Sequence, residues 1–83
     1  MSAYDQAVAL NDLCAEIGRL GRLRVQCSNA LFDAKILALE DASAENRQNV
    51  LRAQKAVERV KAEIAMRKEQ IKILQSLLRS IPT

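Results

Sequence analysis

The sequence predicts an all-α protein, an antiparallel two-helix hairpin with coiled-coil-like packing. Three observations carry this. Apolar residues recur with a 3.5-residue period through both halves of the 83-residue chain. Gly18, Gly21 and Pro82 are the only glycines and prolines, too few turns for a sheet. Tyr4 and Phe32 are the only aromatics, and there is no Trp, whereas strands draw on aromatic and β-branched residues. A chain this long suits one small domain, read as residues 1–83.

The first helix is expected over about 3–40. Ser2-Ala3-Tyr4-Asp5 supplies a hydroxyl for free backbone N–H groups, with an acid three residues later. Leu10, Ile17 and Leu31 then hold one seam position, and Leu13, Leu20, Cys27 and Ala34 the other. Arg24 is the one charged residue in that seam. The turn is expected at about 41–43, within "EDASAEN", which has no apolar anchor and offers Asp41 or Ser43 as a cap. The second helix is expected over about 44–80. Val50, Val57, Ile64, Ile71 and Leu78 alternate there with Ala53, Val60, Leu74 and Ile81, interrupted by Arg67. No Gly or Pro enforces the turn, so a single long helix is one alternative. A break at the glycines, giving a three-helix bundle, is another.

The stretch "GRLGRLRV" is the most informative. Nucleotide-binding loops need a preceding strand and further glycines or a Lys-Ser/Thr pair, and none is present. Each Gly costs a helix about 1 kcal/mol against Ala, yet the heptad keeps its phase from Ile17 to Leu31, which favours a continuous helix. Ala7, Asn11, Cys14, Gly18, Gly21, Val25, Ser28 and Phe32 form a stripe of mostly small residues beside the seam. Small residues admit close approach of another helix, so the stripe reads as a docking groove. Its expected partner-binding residues are Cys14, Gly18, Gly21, Val25 and Phe32, extended by Ile36 and Leu39. Leu51, Met66, Ile73 and Leu77 are surplus apolar residues on the second arm. Leaving such side chains bare forgoes about 1.5–3 kcal/mol each, so the hairpin is expected to dimerise into a four-helix bundle or to cover this surface with another protein. Arg24 and Arg67 read as long stems lying along the seam with their guanidiniums in water or near a Glu.

Charge is uneven. Residues 1–43 carry four basic and six acidic side chains, net −2; residues 44–83 carry nine and four, net +5. Opposite signs favour folding the halves together and steer an acidic partner to the second. Arg52, Lys55 and Arg59 form a basic stripe, with Arg47 before it and Lys61, Lys68 and Lys72 beyond. Nucleic acid is the alternative partner for that stripe. A dimeric helical hairpin that binds RNA through helix faces exists among plasmid copy-control proteins, and this chain is similar to those in architecture only, sharing no motif. Glu58, Glu63 and Glu69 in the same arm and the lack of stacking aromatics weigh against it.

Chemistry is sparse. The chain has no His, the commonest general base and a common metal ligand. Cys14 and Cys27 are thirteen residues apart, which suits neither a zinc site nor a redox pair. Along one helix that is roughly 20 Å, beyond the reach of a disulfide. Glu63 with Arg67 and Arg59 with Glu63 read as i,i+4 pairs. No catalytic residue, cofactor, metal or small-molecule substrate is expected. No signal peptide or membrane span is apparent, so the expectation is a cytoplasmic protein with reduced thiols. Function is expected to be protein binding, as an adaptor, chaperone or inhibitor of a partner. Secretion chaperones and phage-borne inhibitors share this build, an analogy of shape alone.

Overall fold

Residues 2–80 are described by a computed structural model. Helix α1 spans Ala3–Glu40 and α2 spans Ala44–Arg79. At the start of α1 the Ser2 hydroxyl accepts the Asp5 N–H at 3.1 Å and donates to the Asp5 carboxylate at 2.9 Å. That satisfies one orphan donor and puts negative charge at the positive end of the helix dipole. Both glycines lie inside α1, neither with positive φ. Over the described residues the chain is therefore neither a three-helix bundle nor a single long helix.

The turn is built without Gly or Pro. Ser43, not Asp41, caps α2, accepting the Asn46 N–H at 3.2 Å. Asp41 instead closes α1, its N–H donating to the Leu37 carbonyl at 2.9 Å. Two side chains of α2 reach back over the loop. The Asn46 amide donates to the Asp41 carbonyl at 2.7 Å, and Arg47 Nε donates to the Ala42 carbonyl at 3.1 Å. These bonds satisfy carbonyls left over where α1 ends, which is what a glycine-based cap commonly does.

Among the described residues the seam residues meet between the helices, Arg24 excepted. Leu10, Leu13, Ile17, Leu20, Cys27, Leu31 and Ala34 of α1 are buried or half-buried, as are Val50, Ala53, Val57, Val60, Ile64, Arg67, Ile71, Leu74 and Leu78 of α2. Ile81 lies outside the described residues. Burial is deepest in the middle, at Leu20, Val57, Val60 and Ile64, with Leu23 and Cys27 packed beside Leu20, Val60 and Ile64. Arg24 is exposed, and its neighbour Leu23 packs inward in its place. Arg67 stays half-buried, with its charge felt by Glu16 across the hairpin.

The result is a rod of 64 × 15 × 14 Å with a Cα radius of gyration of 18.6 Å, against about 12 Å for a compact fold of this length. Among the described residues, no helix carries an apolar stretch long enough to cross a membrane.

Candidate docking flanks of the hairpin

A residue immediately after a seam residue turns to one side of its helix, and a residue immediately before it turns to the other, because each step rotates by about 100°. In an antiparallel hairpin this sorts the exposed side chains onto two flanks. Gly18, Gly21, Val25, Ser28, Phe32 and Lys35 follow seam positions of α1, and Leu39 follows the half-buried Ala38. Arg47, Leu51, Lys61, Lys68 and Lys72 follow half-buried or buried positions of α2. Two open depressions show that these two sets share one flank. Gly21, Val25 and Ser28 line the first together with Ile64 and Lys68. Lys35 and Leu39 line the second together with Arg47, Val50 and Leu51.

The expected groove residues fall here in part. Gly21 and Val25 line the first depression and Leu39 the second, while Phe32, seven residues from each of Val25 and Leu39, sits between. Phe32 is 63% and Leu39 87% exposed. Gly18 is exposed on the same flank, as is the free thiol of Cys14. Ile36 is exposed but lines neither depression. Neither glycine is required by the packing of α1 on α2. A Cβ built at Gly21 meets nothing within 4 Å, and one at Gly18 meets only Arg22 Nη1, at 3.8 Å.

The basic stripe divides. Arg52 and Arg59 precede the seam residues Ala53 and Val60, so they lie on the opposite flank, and Lys55 points away from α1 between the two. Asp12, Glu16 and Asp33 of α1 and Glu45 and Glu63 of α2 also precede inward positions and share the side of Arg52 and Arg59. A third depression, lined by Ala9, Leu13, Gln70, Ile73 and Leu74, lies on this side. Arg19 is tied there to Glu16, with Nε donating to Oε2 at 3.2 Å. That bond is the main cause holding the Glu16 carboxyl below its ordinary range, with the charges of Arg19 and Arg67 acting in the same direction. The expected pairs of Glu63 with Arg67 and with Arg59 do not form; among the described residues the ion pairs are Arg19–Glu16 and a 4.0 Å Lys72–Glu69 contact.

Sequence reasoning grouped Arg47, Lys61, Lys68 and Lys72 with the stripe and left Lys35 aside. Counting each from its nearest seam residue would have separated them. Among the described residues, no three His, Cys, Asp or Glu side chains gather closely enough to hold a metal ion. Comparison with protein-family models, with curated proteins and with solved structures finds no match to the chain.

Proposed function

We propose that this chain is a non-enzymatic binding module that takes a helix of another protein along the flank of Gly21, Val25, Phe32 and Leu39, acting as an adaptor, chaperone or inhibitor. The observation that supports it is uncovered surface. The hairpin exposes 6217 Å², whereas a compact protein of 9.2 kDa exposes about 4,900 Å². The excess, roughly 1,300 Å², exceeds the ~800 Å² that one partner contributes to an interface of standard size. Much of it is apolar: Val25, Phe32, Leu37, Leu39, Leu51 and Ile73 are each more than half exposed. A helix laid between α1 and α2 would cover the first, second, fourth and fifth of these.

Nucleic acid as partner of the Arg52/Lys55/Arg59 stripe has less support. Arg52 and Arg59 share their flank with Glu45 and Glu63, so no single-sign field builds up there for phosphates.

The test is selection of binders from a displayed library of helix-forming peptides, followed by titration against Phe32→Asp/Leu39→Asp. Both positions are exposed, so the melting temperature stays within a few degrees while affinity drops at least about tenfold. Binders indifferent to the double substitution would overturn the reading.

A further inference from the structure

One flank of the hairpin is mixed in charge and the other is basic, and the open apolar lane runs along the basic one. From Cys14 to Leu39, the α1 residues that follow inward positions are uncharged except Arg24, which follows Leu23 and lines the first depression, and Lys35. Opposite them α2 supplies Arg47, Lys61, Lys68 and Lys72 against the lone carboxylate of Glu58. All seven of these charged side chains are exposed. Among the described residues Lys35, Lys61 and Lys68 form no ion pair within the chain. Lys68 and Lys72 are also four apart on one helix, a like-charge spacing that works against the isolated helix. Lys72 touches Glu69 at 4.0 Å, while the cations unmatched within the chain are open to anions from elsewhere.

We infer that the occupant of this flank is an acidic amphipathic α-helix, with an apolar stripe bordered by Asp or Glu on both sides. Its apolar stripe seats on Val25, Phe32, Leu39 and Leu51. Its carboxylates meet Lys61 and Lys68 toward the middle of the rod and Lys35 and Arg47 toward the turn. Gly18 and Gly21 leave room for its backbone to approach α1, since nothing from α2 fills the space beside Gly21. The lane from Gly18 to Leu39 is about 32 Å long, the length of a helix of some twenty residues. A second copy of the chain is disfavoured here, because a two-fold contact through this flank would set cations against cations. The inference rests on the protein-binding reading above and adds the chemistry of the partner.

Two synthetic 21-residue helices test it, with identical Leu stripes bordered by Glu in one and by Lys in the other. At about 0.05 M salt, where surface charges are weakly screened, the Glu peptide is expected to bind at least about tenfold tighter than its Lys twin. That ratio shrinks at about 0.5 M salt and falls by a similar factor in Lys61→Glu/Lys68→Glu, whose helicity by circular dichroism is unchanged. Equal binding of the twins, both lost in Phe32→Asp/Leu39→Asp, would overturn the charge inference and leave the protein-binding reading standing. No binding of either twin, or binding indifferent to Phe32 and Leu39, would remove both. Tighter binding of a mixed-sequence RNA or DNA duplex than of the Glu peptide would make the flank a nucleic-acid surface instead.

Discussion

Gly18 and Gly21 lower the helix propensity of α1 without any return from the hairpin itself. Their φ values are ordinary, and a methyl group at either position meets no closer atom than Arg22 Nη1 at 3.8 Å. Gly18→Ala and Gly21→Ala are therefore each expected to stabilise the free chain by about 1 kcal/mol, measured by urea denaturation followed at 222 nm. Destabilisation by either would show that the glycine serves the fold. The two arginines in the seam part company for local reasons. Arg24 has Leu23 beside it to pack inward in its stead, whereas Arg67 is followed by Lys68 and preceded by Met66, which is half exposed. It stays half-buried, near the carboxylate of Glu16.

Each helix owes its ends to polar side chains and its middle to the heptad. The hydroxyls of Ser2 and Ser43 serve equivalent caps, each accepting the N–H three residues on. The turn between the helices depends further on Asn46 and Arg47, whose bonds to Asp41 and Ala42 cross the loop. Asn46→Ala is expected to cost about 1 kcal/mol, and Ser43→Ala about the same, read from the shift in urea midpoint. A cost near zero for both would mean that the seam alone sets the fold-back. The seam itself was legible because burial repeats every 3.5 residues and Ile17, Leu20, Cys27 and Leu31 keep phase across the glycines. The turn was legible only in outline. Which polar residue would cap α2, and which would reach back, depends on where the backbone leaves its carbonyls.

At the scale of the molecule, two long arms enclose a very short core. The most buried side chains, Leu20, Val57, Val60 and Ile64, all sit in the middle of the rod, so stability concentrates there. Leu20, 1% exposed and packed on Val60 and Ile64, is the position where truncation hurts most. Leu20→Ala is expected to cost about 2–5 kcal/mol, a large share of the stability of a small domain. Calorimetry that finds Tm unchanged would mean the helices do not pack as described. The lengths on either side of this core leave Val25, Phe32, Leu39 and Ile73 more than half exposed. One flank of that surface is basic and the other mixed, and the proposal of an acidic partner helix follows from that difference.

The residue types and their spacing by themselves determined that the chain is helical, where each helix begins and ends to within a residue or so, and which side chains form the seam. These depend on local propensity and on a period that is printed in the order of residues. The same order made Phe32 and Leu39 visible as surplus apolar surface. Only the fold-back decided which charges stand beside them. Arg52, Lys55 and Arg59 are neighbours along α2, but rotation about the helix and the position of α1 send Arg52 and Arg59 to one flank and Lys61 and Lys68 to the other. Sequence distance along a helix says little about sidedness until a second helix defines which side is in, and here α1 supplies that reference and, with Lys35, part of the basic flank.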